Sequence, residues 1–250
     1  MVHDGRYRVP TGRSALGQPH DASVVQDVAV DQLPHGYTNE TTRTGQGVTK
    51  AYVGRHARER CTVERECLEV LRGRFPVPAV VEAATPEVLT MSFVPGSHGQ
   101  DLIDAGAAEL VLRLCGELLR ELQGVAVDLL AGIPGDGDVL VHGDFGPQNL
   151  LIDIRVKRVT ALLDWEFAHI GRSVEDLAWA EWIVRMHHST WTSELDHLFE
   201  GFRARPAWDV RQSEMVHRCE QLVRFAEFQG WGAASTLWRE RVQTAHRWVE

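Results

Sequence analysis

Lysine is almost missing from this chain: of its 26 basic residues only Lys50 and Lys157 are lysines, and arginine supplies the rest. A sequence that uses arginine almost everywhere draws attention to a place where a compact ammonium on a flexible stem is kept. Cysteine is also scarce. Cys61, Cys67, Cys115 and Cys219 form no C-x-x-C pair and no metal-ligand spacing, and among twelve histidines there is no H-E-x-x-H. A zinc centre or a redox pair is therefore not expected. Long apolar runs are absent as well, since none approaches the roughly 20 residues that a membrane helix needs. The first twenty residues lack the apolar stretch of a signal peptide, so a cytoplasmic location and no membrane contact are expected. Positive charge is in deficit, with a formal net charge of −9, which argues against a grip on nucleic acid. Repeats and low-complexity blocks are lacking too. Nothing in the composition sets an oligomeric state.

What remains is a chain of 250 residues with an ordinary apolar fraction, enough for two lobes around a cleft. Residues 1–20 are rich in Gly, Arg, Pro and His without periodicity and read as a mobile tail. Short β-type runs follow, SVVQDVAV, GYTNETTR and GVTKAYV, punctuated by glycines as antiparallel strands would be. A charged stretch from about Arg55 to Arg74 carries Val63, Leu68 and Leu71 at helical spacing, and Pro76 and Pro78 close it. PAVVEA and EVLTMSFV read as two more strands. Residues 21–95 thus form a small β-rich N-terminal lobe with one helix. Pro95 and Gly96 mark the break, and residues 96–250 form a larger, mainly helical lobe. In that lobe a single helix is expected from Leu102 to Gln123, and helices bearing most of the tryptophans after Ser173.

The chemistry concentrates between Val141 and Trp165. Val141-His142-Gly143-Asp144-Phe145-Gly146-Pro147-Gln148-Asn149 runs into the apolar Leu150-Leu151-Ile152, so a polar loop is held by a resuming strand. Asp144 and Asn149 lie five residues apart across a Gly-Pro turn, and Asp164 ends a second apolar run fifteen residues later. Two strand ends would bring two carboxylates and one amide to one mouth. Such oxygens suit a hard cation such as magnesium, and a carboxylate beside a substrate hydroxyl can take its proton.

HGDFGPQN followed by LLDWE resembles the aminoglycoside phosphotransferase family, relatives of choline kinases and, more distantly, of protein kinases, whose signatures are H-R-D-x-x-x-x-N and D-F-G. The resemblance implies an α+β, bilobal protein-kinase-like fold and a phosphotransferase that moves the γ-phosphoryl of ATP to a hydroxyl of a small molecule, with aminoglycosides and other antibiotics among the acceptors. It implies catalytic roles for Asp144, His142 and Asn149, with Asp144 orienting or deprotonating the acceptor and His142 bracing the loop. It implies Mg2+ on Asn149 and Asp164, and Asp176 as a structural acid. Val48-Thr49-Lys50 falls where the family's third strand offers its ATP-binding lysine. Glu64 is the expected partner of Lys50, with Glu66 as runner-up. Met91 to Gly96, including Phe93 and Val94, resembles the hinge whose backbone meets adenine, and Gly36 to Thr41 the turn over the phosphates. The helices after Asp176, with Trp179 and Trp182, would build the acceptor site, and Glu166, Glu175 and Glu181 would make it negative. Two other readings stay open: a catalytically inactive nucleotide-binding module, and a protein kinase. The intact Lys50, Asp144, Asn149 and Asp164 stand against the first. The absence of an A-P-E segment after Asp164 stands against the second.

Overall fold

The computed structural model describes residues 31–32, 39–45 and 47–250. The tail at 1–20, the strand read at 23–30 and most of the phosphate-covering turn, residues 36–38, lie outside the described residues. The N-terminal lobe is an antiparallel sheet in the order β1-β2-β3-β5-β4, made of β1 (Asp31–Gln32), β2 (Glu40–Thr44), β3 (Gly47–Ala51), β4 (Val80–Thr85) and β5 (Val88–Ser92). Gly45 makes the turn between β2 and β3 at φ +56°. Helix α1 (Ala57–Leu71) packs behind this sheet, burying Cys61, Glu64, Cys67, Leu68 and Leu71 on one face, at the spacing a helix needs to present a single stripe.

The second lobe starts with β6 (Ser97–His98) and α2 (Gly99–Asp104), followed by α3 (Ala108–Leu122). The one helix expected from Leu102 to Gln123 is therefore two. Gly106 sits at φ +91°, and the N–H groups of Ala105, Gly106 and Ala107 return to the carbonyls of Asp101, Ile103 and Leu102. This is a glycine-terminated helix end, which the apolar spacing carried straight through. Strands β7 (Val139–Val141), β8 (Leu150–Asp153), β9 (Arg158–Leu162) and β10 (His169–Gly171) follow. They pair as β10-β7 and as β6-β8-β9. The rest is helical: α4 (Glu175–His187), α5 (Leu195–Phe202), α6 (Trp208–Gln229) and α7 (Gly232–Arg247). No helix among the described residues is long and apolar enough to cross a membrane.

One core runs through both lobes, from Leu68, Leu71 and Leu89 to Leu112, Leu119, Phe145 and Trp165. A second cluster joins α4, α6 and α7 through Trp179, Trp182, Met215 and Cys219. All four cysteines are free and buried, as small apolar fillers would be. Helix α6 reaches the N-terminal lobe with one end. Its C-terminal end meets the β3–α1 connection, where the Gln229 amide accepts from the Arg55 N–H at 2.9 Å and donates to the Arg55 carbonyl at 3.0 Å. Phe228 stacks on His56 beside it, 5.0 Å between ring centres.

Candidate active site

Two loops meet because their flanking strands are paired. The loop 142–149 connects β7 to β8, and the loop 163–168 connects β9 to β10. Since β7 pairs with β10 and β8 with β9, the loops lie side by side. They are also cross-bonded: the Leu163 N–H donates to the Asn149 carbonyl at 2.8 Å, and His142 Nε2 donates to the Leu163 carbonyl at 2.9 Å. The tautomer of His142 follows from its other side. Nδ1 faces the backbone N–H of Asp144 at 3.2 Å, so it must accept, and the ring proton sits on Nε2. Complete burial lowers the His142 pKa to about 4, which keeps the ring neutral in that role.

Asp176, in the first turn of α4, fixes the start of the same loop. Its carboxylate accepts from the N–H groups of His142 at 2.6 Å and Gly143 at 3.0 Å. Burial nonetheless lifts its pKa to about 6 against those two bonds. Gly143 stands at φ +81°, and a Cβ there would collide with the Phe167 carbonyl of the neighbouring loop. Only glycine fits that crossing.

Asp144 emerges half-buried at the mouth. Its Oδ1 accepts from the indole N–H of Trp179 at 2.9 Å and its Oδ2 from the Asn149 amide at 3.1 Å. The Asn149 amide also holds the Asp144 carbonyl at 2.8 Å. Burial, and then the charge of Asp164, raise the Asp144 pKa to about 6, although Trp179, Arg218 and Asn149 pull the other way.

On the other side of the mouth lies a buried ion network. Lys50 on β3 bonds Glu64 of α1 at 2.7 Å and also Asp164, with Glu166 at 4.0 Å. Burial opposes its charge, but Asp164, Glu64 and Glu166 outweigh that and hold the ammonium above the ordinary lysine range. Asp164 is held below the usual carboxylate range: burial would raise it, and Lys50 overcomes burial. Asp164 sits at φ +68°, a backbone region that aspartate tolerates better than most side chains. Tyr52 donates its hydroxyl to Glu64, which completes that carboxylate's surroundings.

The structure thus brings Asp144, His142, Asn149, Asp164, Lys50 and Glu64 together around one mouth. Glu66 does not share in this; it lies against Gly132. Phe93 and Val94 occupy the link from β5 to β6, beyond the strand that pairs with β3, and the Arg43 guanidinium covers the exposed Phe93 ring at 3.8 Å. Lys157 is a turn residue at φ +51° between β8 and β9. Among the described residues no cluster of three or more His, Cys, Asp or Glu could hold a metal. Two carboxylates and an amide are nevertheless the donor set from which magnesium completes its shell with phosphate oxygens and water, so the residues fit that ion.

The sequence reading missed two participants, Arg60 and Arg218, and gave a third, Trp179, a less direct part. Arg60, one helical turn before Glu64, pairs with Glu166 and donates to Asn39 Oδ1 at 3.2 Å. Asn39 in turn donates to Glu166 at 2.9 Å. The i, i+4 spacing of Arg60 and Glu64 is the signal that would have found Arg60. Trp179, three residues after Asp176 on the same helix face, is a direct partner of Asp144 rather than only acceptor-side packing. Arg218 of α6 donates to the Gly143 carbonyl and has no local sequence signal at all.

The negative acceptor wall is a correction. Glu166 is buried and paired with Arg60 on the lysine side. Glu181 is fully buried between Arg185 and Arg211. Glu175 is bound to His169 at 2.9 Å, a contact that outweighs its burial and lowers its pKa to about 2. Each carboxylate has an internal cation, because an acid carried into a folded helix bundle is stable only when paired.

Residues 125–213 match the family model of the phosphotransferase enzyme family, APH. The match contains both loops, Asp176 and Trp179, and it bears out the resemblance read from HGDFGPQN and LLDWE. No curated protein sequence matches the chain. Among solved structures the chain is similar to APH(2")-IIia, solved with GDP and kanamycin, at a TM-score of 0.70 and 13% identity over 90% of this chain and 94% of that one. It is similar to a macrolide 2'-phosphotransferase of Brachybacterium faecium at a TM-score of 0.64 and 18% identity, covering 90% and 94%. It is also similar to a thermostable mutant of aminoglycoside phosphotransferase APH(4)-Ia in a ternary complex with ADP and hygromycin B, at 0.63 and 15%, covering 88% and 93%. At these identities the likeness establishes the kinase-like α+β fold.

Proposed function

We propose that this protein is a small-molecule kinase that transfers the γ-phosphoryl group of ATP to a hydroxyl of its acceptor in a magnesium-dependent reaction. The observation that carries the reading is the pairing of opposite carboxylates at one mouth: Asp164 bonded to the buried Lys50, and Asp144 raised to about 6 and held by neutral donors. The first suits a phosphate-and-metal site and the second a group that takes a proton.

In this reading the acceptor oxygen attacks the γ-phosphorus, the bond from that phosphorus to the bridging oxygen of ADP breaks, and the hydroxyl proton passes to Asp144. Asn149 and Asp164 would hold Mg2+, which when bound neutralises charge on the phosphates. Lys50, kept in place by Glu64, contacts those phosphates. The backbone of Phe93 and Val94 meets the adenine. His142 stays neutral and ties the two loops. The division into a nucleotide-binding lobe up to residue 95 and a catalytic, acceptor-binding lobe from residue 96 belongs to the same reading, supported by the separate sheets on either side of that link. The neighbours solved with kanamycin and hygromycin B support a hydroxylated small molecule, antibiotics included, as the acceptor. A cytoplasmic setting fits such an ATP-dependent activity.

The test combines a thermal-shift titration of ATP with and without Mg2+ and a mass-spectrometric screen for phosphoryl gain on hydroxylated small molecules. The expected result is a Mg2+-dependent shift that Asp164→Ala removes, together with transfer to at least one acceptor. A full shift in Asp164→Ala places the metal elsewhere. Binding without transfer to any acceptor supports an inactive nucleotide-binding module instead, and transfer to a protein supports a protein kinase.

A further inference from the structure

Arg60 and Glu64 stand one turn apart on the same face of α1, and each engages a different charge at the mouth. Glu64 holds Lys50 of β3 at 2.7 Å, while Arg60 pairs with Glu166, two residues after Asp164. Both side chains of the second pair are buried, Arg60 at 7% exposure and Glu166 at 0%. The guanidinium is anchored at three points. It donates to the Glu166 carboxylate, to Asn39 Oδ1 at 3.2 Å and to the Val53 carbonyl in the β3–α1 connection. Asn39 closes the triangle, its amide donating to the two Glu166 oxygens at 2.9 and 3.0 Å. The next residue of the loop, Phe167, is held by the other lobe, edge to face with Phe225 of α6 at 5.7 Å.

This arrangement bears on the choice of partner for Lys50. Three carboxylates lie within 4.0 Å of its ammonium: Glu64, Asp164 and Glu166. The first two bond it, and Glu166, at 4.0 Å, stops about 1 Å short of hydrogen-bond distance. A buried carboxylate is stable only when paired, so Glu166 deprived of Arg60 would have Lys50 as a cation within reach. A compact ammonium on a flexible stem can make that move. Drawn to Glu166, it would be lost to Asp164 and to the phosphates that Lys50 meets in the kinase reading.

Resting on that reading, we propose that Arg60 is a positioning residue for the nucleotide. By holding Glu166 it keeps that carboxylate off Lys50 and leaves the ammonium for the ATP phosphates. Asn39 and the Val53 carbonyl fix the guanidinium in this task from the β2 and β3 sides of the sheet.

The near-absence of lysine supplies the readout. Full-length protein isotope-labelled at its lysine side chains gives two signals, one from buried Lys50 and one from exposed Lys157, told apart with Lys157→Arg. The protein is titrated with Mg2+ and the non-hydrolysable analogue AMP-PNP, and Kd is measured by calorimetry. Arg60→Gln should move the Lys50 signal before any nucleotide is added and raise Kd on the order of tenfold, the scale of one charge-assisted bond. Adding Glu166→Gln to that variant should return both the signal and Kd towards wild type, because the competing charge is gone. Arg60→Lys keeps the charge but cannot span Val53 and Glu166 together, so it should raise Kd by a smaller factor. It carries the test if Arg60→Gln does not fold. A folded Arg60→Gln, or Arg60→Lys in its place, with a wild-type Kd and an unmoved Lys50 signal overturns the inference. A loss of affinity that Glu166→Gln leaves unrelieved overturns it as well. In both cases the kinase reading stands. A wild-type chain that binds no nucleotide with Mg2+ removes that reading, and the inference with it.

Discussion

Asp164 and Asp144 stand on neighbouring loops, yet their surroundings push them in opposite directions. Asp164 faces Lys50 within a buried network that also holds Glu64, Glu166 and Arg60. There charge is balanced by charge, and the carboxylate is held low. Asp144 faces an indole N–H and an amide, with Asp164 as its nearest like charge, and its pKa rises to about 6. The same residue type is thus held as an anion beside Lys50 and brought to titrate near 6 beside Trp179, the division that the proposed reaction would use. Environment makes the division, as it does wherever two carboxyl groups of one site take different roles.

The sharpest way to break the comparison is to neutralise Asp144. Asp144→Asn should lower kcat by roughly 10²–10⁴-fold, the usual contribution of a positioned acid or base. Its effect on stability has the opposite sign. A carboxyl whose folded pKa is raised stabilises the fold at low pH, and that contribution is lost as pH rises through about 6. Asp144→Asn should therefore melt no lower than the wild type at pH 7. A variant that is both active within a few-fold and strongly destabilised would show that Asp144 serves the fold instead.

On the lysine side the expectation reverses. Lys50→Met leaves Glu64 and Asp164 without their cation, and removing one partner of a buried pair costs about 3–5 kcal/mol. Calorimetry should show that loss, and kinetics a raised ATP requirement with little change in acceptor affinity. Glu64→Gln should produce a weaker form of both effects, while Glu66→Gln should be close to silent. The reverse ranking of the two glutamines would move the partner of Lys50 to the other helix position.

Trp179→Phe tests the acceptor side more gently. It removes the indole N–H, a bond to a charged group that contributes on the order of 1.5–3 kcal/mol, while keeping most of the packing. Without that donor the Asp144 pKa should move further up. The pH profile of kcat/KM, expected to rise through about 6 and then level off, should shift to higher pH. An unshifted profile would separate Trp179 from the titrating group. The smallest effect belongs to the contact that ties the two sides together. Gln229→Ala removes two exposed bonds to the Arg55 backbone and should lower stability by about 1 kcal/mol at most, read by chemical denaturation, with nucleotide and acceptor KM rising together as the lobes part more easily.

The sequence by itself determined the fold class and which residues would gather at the mouth between the two loops. HGDFGPQN and LLDWE are local patterns, and their residues sit where the chain puts them, on loops gripped by apolar strands. Lys50 was legible because lysine is nearly absent elsewhere, and Glu64 because helical spacing aligns it with Leu68 and Leu71. Gly106, which divides α2 from α3, was written in the sequence but hidden under a continuous apolar pattern. Only the tertiary structure decided where the acids go. Glu166, Glu175 and Glu181 all follow Asp164 closely in the chain, and by proximity they looked like one negative surface. Folding sends Glu166 to Arg60, Glu175 to His169 and Glu181 to Arg211. Arg218 arrives at the 142–149 loop from 75 residues away. No short-range pattern encodes such meetings, because a buried charge selects its partner from whatever the packed elements bring within reach.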